Sequence, residues 1–269
     1  MTTIIKIFKE HIAWRHQILK LAISDMKKTY SGAALGWAWA IVKPTILIMV
    51  YWFAFSIGLR AERNTSGEYS FILWLIAGIV PWFFMSEMIS SGSGCFKSYS
   101  HLITKMKFPV STIPTFVGIS KLLVQIGLIV LVIIIFSICG YHPDIHLLQL
   151  PIYILLMVIF FVAWSLFSSM LSAVSKDFQN LVQSFITAIF WMSGILWDVN
   201  QIGQEWLRTL LMFNPVTFIA TGFRNCFVYK IWIWERPKDL LYFIIITVIM
   251  EIGAIWAYKK LVKKIPDYL

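Results

Sequence analysis

Four charged side chains, Lys43, Glu87, Lys121 and Glu251, stand inside long apolar runs of a chain in which charge is otherwise scarce: 59% of the 269 residues are hydrophobic and 13% are charged. A charge at the centre of an apolar helix costs about 2.5–3.5 kcal/mol on insertion scales, so each needs an opposite charge, a wet cavity or a bound ion. Lys43 lies seven residues past Gly36, about 10 Å along a helix, and the other three sit at similar depth in their runs. Two readings stay open. Lys43 with Glu87 and Lys121 with Glu251 would neutralise one another as ion pairs between helices, or the lysines would meet an anionic headgroup.

Other reactive constellations are thin. The chain has no G-x-x-x-x-G-K-[ST], and the dipeptide Gly-Lys is absent, so there is no P-loop to cradle nucleotide phosphates. Ser90-Ser91-Gly92-Ser93-Gly94 has the look of a serine nucleophile turn, but Ser91 takes the first glycine position and no apolar run carries a histidine to activate a hydroxyl. His142 and His146 stand four residues apart with only Asp144 nearby, which reads as a solvated loop pair rather than a metal site. Cys95, Cys139 and Cys226 show no C-x-x-C pairing and read as packing residues. No catalytic residue and no metal ligand is expected.

Positioning lysines and glutamates inside apolar sequence takes membrane helices. Six stretches reach spanning length, near residues 36–58, 70–90, 114–138, 150–173, 180–198 and 239–258. Lipid offers backbone groups no partner, so these must be helical. The expected fold is an all-α integral membrane protein with six transmembrane helices in one domain, 1–269. Within it, 1–35 is a cytoplasmic interfacial helix, 36–258 holds the six spans, and 259–269 is a basic cytoplasmic tail. Lys6, Lys9, Glu10, Arg15 and Lys20 interrupt any secretory signal core, so no cleavage is expected.

With both termini on one side, that side carries fourteen Lys and Arg, among them Lys27, Lys28, Lys97, Lys105, Lys107 and the tail lysines. The other carries seven: Arg60, Arg63, Arg208, Arg224, Lys230, Arg236 and Lys238. The positive-inside rule then places both termini in the cytoplasm. The formal charge of +10 is thereby a topology signal, and no nucleic-acid partner is expected.

Residues 3–28 place Ile4, Ile5, Phe8, Ile12, Trp14, Ile18, Leu19, Leu21 and Ile23 at roughly helical spacing among Lys and Arg, the pattern of an amphipathic helix on a membrane surface. The basic loop Ser91–Thr112 predicts a short helix from Phe96 to Met106, closed by Phe108-Pro109. The connection from Asp198 to Asp239 is too apolar for a solvated loop and predicts two short re-entrant outer helices, broken at Asn214-Pro215, between spans five and six. No inverted repeat is visible.

Several of these segments resemble a known family. Tyr30, Leu35-Gly36-x-x-Trp39, Lys43-Pro44, Ala77-Gly78-Ile79-Val80-Pro81-Trp82-Phe83-Phe84, Phe108-Pro109-x-x-x-Ile113-Pro114, Lys176-Asp177, Ser193-Gly194-Ile195-Leu196-Trp197 and Asn214-Pro215 with Arg224 look like the permease subunits of ABC-2 type polysaccharide exporters. Ile7–His11, Met49–Phe53 through Gly58-Leu59-Arg60, Lys105–Thr115 and Tyr141–His146 are most similar to the permeases that translocate wall teichoic acid. The chain departs at Ser24 and Lys176, where relatives carry Arg, and at Gly194, where Pro is common.

The resemblance implies a homodimer with two copies of a separate ATP-binding subunit in the cytoplasmic membrane. ATP and magnesium belong to that subunit; this chain binds no cofactor and is no enzyme by itself. The implied cargo is wall teichoic acid on undecaprenyl diphosphate, carried from the inner to the outer face, with O-antigen or capsular polysaccharide as the alternative. Lys27, Lys28 and Lys43 would then meet the lipid headgroup. Trp37, Trp39, Lys43, Tyr51, Trp82, Phe83 and Trp191 would line the polymer path, since aromatic faces pack against sugar rings, although interfacial belts also gather Trp and Tyr. Phe96, Tyr99, Leu102 and Lys105 would couple to the ATPase, and Asn214, Phe218 and Arg224 would form an outer gate.

Overall fold

A computed structural model describes residues 2–58, 69–106 and 108–269; Arg60, Arg63 and Lys107 of the charge count lie outside them. The described residues form helices and no strand. The N-terminal segment is two helices, α1 (Thr2–Ala13) and α2 (Arg15–Tyr30), rather than the single one expected. They break at Trp14, whose ring meets Phe108 edge-on at 5.0 Å between centroids. Gly36 follows at φ 47°, a left-handed turn that a side chain would strain, and redirects the chain into α3 (Trp39–Trp52).

Among the described residues, five helical segments are long and apolar enough to cross a membrane: Gly36–Ile57, which contains α3; Phe71–Ser93, which is α4; Val110–Ile138, containing α7 (Ile113–Ile138); Ile145–Val174, containing α8 (Leu150–Val174); and Pro237–Leu261, which is α12. Between α4 and α7 lie two short helices, α5 (Cys95–Ser98) and α6 (Ser100–Thr104), in place of the single helix predicted from Phe96 to Met106. The stretch predicted as the fifth span becomes α9 (Lys176–Met192), with 17 residues. At 1.5 Å per residue it reaches about 26 Å, short of a hydrocarbon core of about 30 Å, and its first half carries Lys176, Asp177, Gln179, Asn180, Gln183 and Ser184.

Helix α4 is the centre. Its most apolar window is 78% buried, against none of the window in Gly36–Ile57, and it packs on α3, α7, α8, α9 and α11. Lipid tails are as apolar as leucine, so helices gather through close fit and small residues. The α4–α8 seam shows this: Ser165, Ser168, Ser169 and Ser172 of α8 are fully buried, and the Ser165 hydroxyl donates to the Gly92 carbonyl at 2.9 Å. A methyl group on Gly92 would collide with Ser165.

The connection from Asp198 to Asp239 forms α10 (Glu205–Met212) and α11 (Pro215–Arg224), broken where Asn214-Pro215 predicts. The Asn214 side chain caps α11 by accepting from the Val216 amide at 3.0 Å, and Pro215 takes a first-turn position where no amide is needed. The tail folds back as α13 (Ile265–Tyr268), with Ile265 fully buried.

Candidate functional site

Three of the four intramembrane charges meet at one cavity, in a pairing other than the expected one. Lys121 on α7 lies 3.1 Å from Glu87 on α4, and Ser91 one turn on donates to the same carboxylate oxygen at 3.0 Å. Lys43 on α3 has no ion pair among the described residues; its ammonium sits 5.9 Å from the centre of the Trp39 ring. The expected Lys43–Glu87 and Lys121–Glu251 pairs therefore fail, because α7 rather than α3 carries its lysine onto the Glu87 face of α4, while Glu251 rides on α12, which packs chiefly on α8. Lys43, Glu87, Lys121, Ser120, Gln125, Tyr30, Trp39 and Phe83 line a cavity of about 170 Å³ between α2, α3, α4 and α7. Lys27 and Lys28 are exposed on α2 outside that lining. Glu251 faces a different cavity, with His11, Ser111 and Thr115.

The aromatic residues assigned to a path divide into two groups. Trp37 lies against Tyr30 with ring centroids 5.5 Å apart and tilted, and stays exposed, and Trp191 near the end of α9 is 49% exposed. Trp82 is only 6% exposed and packs with Tyr51 around Phe190, each at 5.3 Å between centroids; Trp82 is thus a core residue and Tyr51 a half-buried neighbour. Beside these, α9 presents Asn180, Ser184 and Thr187 in the exposed row that ends at Trp191, at i, i+4, i+7 and i+11. Gln183 joins α9 to α4 through Ser90, at 2.9 and 3.1 Å. The sequence reading passed over this stripe, although polar residues at helical spacing within an apolar stretch were its signal.

On the side of the chain termini, Phe96 and Leu102, expected as contacts presented to a motor, are instead buried in the helical bundle. Tyr99 is half-buried, and its hydroxyl donates to Asp25 of α2; burial first, then Asp25, pushes its phenol above the ordinary value. What this segment exposes is His101, Thr104, Lys105 and Met106. Lys97 donates to Gln179 of α9 at 3.2 Å, and burial followed by nearby Lys176 lowers its pKa.

At the opposite end, the residues assigned to a gate are anchors. Arg224 is 2% exposed; it donates to the carbonyls of Gly194 at 2.7 Å, of Ile195, and of Trp74 at 3.4 Å, and lies 3.5 Å over the Trp74 ring. The Trp74 indole donates to Tyr229 and Tyr229 to Asp198, both at 2.7 Å. Gly194 sits at φ 62°, which a proline could not adopt. Asn214 donates to Ser193 at 2.8 Å, and Phe218 stacks on Phe243 of α12 at 4.5 Å. The turn after α9, α4, α11 and α12 are thus tied into one unit.

Among the described residues, a wholly helical bundle with five helices long and apolar enough to span, and with charges set inside those helices, defines a multi-pass membrane protein; no group of His, Cys, Asp and Glu there is fit for a metal. The chain belongs to the ABC-2 type transporter family, which it matches over residues 16–228. It is 24% identical over 224 residues to the O-antigen export system permease protein RfbA of Myxococcus xanthus, covering 83% of this chain and 84% of that one. A Klebsiella pneumoniae protein of the same name is 24% identical over 228 residues, 84% of this chain and 85% of its own. The polysialic acid transport protein KpsM of Escherichia coli is 22% identical over 205 residues, 74% of this chain and 76% of its own.

Proposed function

We propose that the chain is the membrane permease of an ATP-driven exporter of a bacterial surface polysaccharide, acting as a homodimer with two copies of a separate ATP-binding subunit. The observation that carries this is the similarity, along more than four fifths of the chain, to permeases named for O-antigen export. The geometry supports it from a second side. Polar residues on α9 cannot face lipid without cost, and the neighbouring span Gly36–Ile57 has no buried window. Two copies meeting through α3 and α9 would enclose those polar residues in a wet path, edged by Trp37, Tyr51 and Trp191.

In this reading ATP and magnesium are held by the partner subunit, both termini lie in the cytoplasm, and His101, Lys105 and Met106 face the motor. The α9 turn, α10 and α11, anchored by Arg224, close the outer end. The relatives are named for O-antigen and for polysialic acid; the cargo we adopt for this chain is a glycan of that kind, an O-antigen or capsular polysaccharide, carried on a lipid diphosphate. Wall teichoic acid is a second cargo, favoured by the segments Ile7–His11, Lys105–Thr115 and Tyr141–His146.

The test is ATP hydrolysis by the chain co-purified in lipid with its ATP-binding subunit. Stimulation by a neutral glycan on undecaprenyl diphosphate is the expected result. Stimulation by a teichoic acid analogue alone would move the cargo to teichoic acid, and failure to form any complex would overturn the export reading.

A further inference from the structure

Polar side chains that find no partner among the described residues line the cavity between α2, α3, α4 and α7. Ser120 and Gln125 of α7 are each 1% exposed, and the Ser120 hydroxyl and both amide atoms of Gln125 have no hydrogen-bond partner among the described residues. A buried polar group without a partner is destabilising, and lipid supplies no water to relieve it. Lys43 adds an ammonium with no ion pair among the described residues, since the carboxylate of Glu87 is held by Lys121. Two ammonium groups against one carboxylate leave the cavity net positive.

The missing component has a definite chemistry. A cation is excluded by the charge, and a neutral sugar would leave Lys43 uncompensated. A phosphate is the group whose oxygens suit all three donor types in this lining, the Lys43 ammonium, the Gln125 amide nitrogen and the Ser120 hydroxyl, with a charge-assisted bond where the donor is cationic. The Gln125 carbonyl is left for a headgroup hydroxyl or a water. About 170 Å³ far exceeds the roughly 10–15 Å³ that one water requires by the same measure. Met26, Phe83, Phe84, Val124 and Leu128 supply an apolar wall for a hydrocarbon chain. Counted from Gly36, from Gly94 and from Ile113, the residues Lys43, Glu87 and Lys121 each lie seven or eight positions, about 10–12 Å, into their helices, so the three groups share one depth.

We propose that this cavity holds the phosphate headgroup of a membrane lipid from the leaflet on the side of α1 and α2, with Lys43, Gln125 and Ser120 as its ligands and the Lys121–Glu87 pair as its floor. Lipid phosphate has two sources here, the polyprenyl carrier of a cargo or a bulk anionic phospholipid. The proposal rests on the export reading only in naming the first.

The test is native mass spectrometry of the full chain in maltoside detergent, which carries no phosphate, titrated with undecaprenyl phosphate, phosphatidylglycerol, diacylglycerol or inorganic phosphate. Phosphate lipids should be retained, and Lys43→Ala and Gln125→Leu should each weaken retention about tenfold, or 1.4 kcal/mol. Lys259→Ala, on the exposed tail end of α12, should leave it unchanged. Neither test variant strands a charge, and Gln125→Leu removes unpartnered atoms, so loss of binding with an unchanged melting temperature reports on the site. Preference for undecaprenyl phosphate over phosphatidylglycerol would assign the site to the carrier, and equal retention to bulk lipid; both uphold a lipid phosphate. Wild-type retention in both variants, or diacylglycerol or free phosphate binding as tightly as the lipids, would overturn it. Because no ATPase or polymer enters the assay, failure of the export reading would leave this readout unaffected.

Discussion

Arg224 illustrates how one residue can unite parts of the chain that are far apart in sequence. Its guanidinium reaches three carbonyl oxygens and the face of Trp74, in a space that exists because residue 78 has no side chain; a Cβ there would fall inside the guanidinium. Gly78→Ala should destabilise the protein by about 1–3 kcal/mol through overpacking. Arg224→Met should cost as much or more by leaving buried carbonyls unpaired. The double variant should be more stable than the sum of the two losses predicts, because methionine vacates the space the methyl needs. Melting of the four proteins in detergent checks this, and simple additivity would refute it. Asp144 belongs to the same scale. Its carboxyl is held below the usual 3.8, first by hydrogen bonding with His146, then by the Ile145 amide and Lys230. A lowered folded-state value stabilises above the ordinary carboxylate pKa and is lost as pH falls through the folded one. Hydrogen-exchange protection factors across residues 141–149, taken against the intrinsic rate at each pH, should fall below about pH 4, and Asp144→Asn should show lower protection at neutral pH with that pH dependence removed.

At the scale of elements, α9 and the α5–α6 segment separate what holds from what faces outward. Val182 and Phe190 face the core while Asn180, Ser184 and Thr187 are exposed, so α9 is amphipathic without being interfacial by sequence. Ser184→Leu with Thr187→Leu should leave assembly and basal ATP hydrolysis intact and reduce polymer export by tenfold or so, read as surface glycan in cells lacking the native permease. In α5, Phe96→Ala should cost about 3–5 kcal/mol by emptying a core position, with coupling lost only through unfolding. Met106→Asp, at a position 64% exposed, should preserve the melting temperature and weaken retention of the ATP-binding subunit on co-purification.

For the whole molecule, uneven burial is the main clue. One span is central and one almost unsupported, which a single copy in lipid has no reason to build unless a second copy covers part of that face. On a Cys139→Ser background, cysteine at Ile46 of α3 or Phe185 of α9, both more than half exposed, should give covalent dimers with a short bismaleimide. Cysteine at Ile252 of α12, also exposed, should not. Dimers through Ile252 alone would place the interface elsewhere.

Local pattern was enough to read much of this chain: continuous apolar runs mark the spanning helices, Asn214-Pro215 marks the break between α10 and α11, and the absence of Gly-Lys rules out a P-loop, because each depends only on neighbours in sequence. The α1–α2 break at Trp14 was not legible, since it depends on Phe108 arriving from the far side of α4. Nor was the limit of α9, whose polar first half is visible in the residues but whose exposure depends on which helices pack against it. Charge pairing was decided wholly by the tertiary structure. Depth along a helix can be counted from sequence, but azimuth and neighbour cannot, so Lys121 rather than Lys43 meets Glu87 and Glu251 is left on another face. The same holds for Arg224, Phe96 and Leu102: residue type could suggest a gate or a docking surface, and only packing turned them inward.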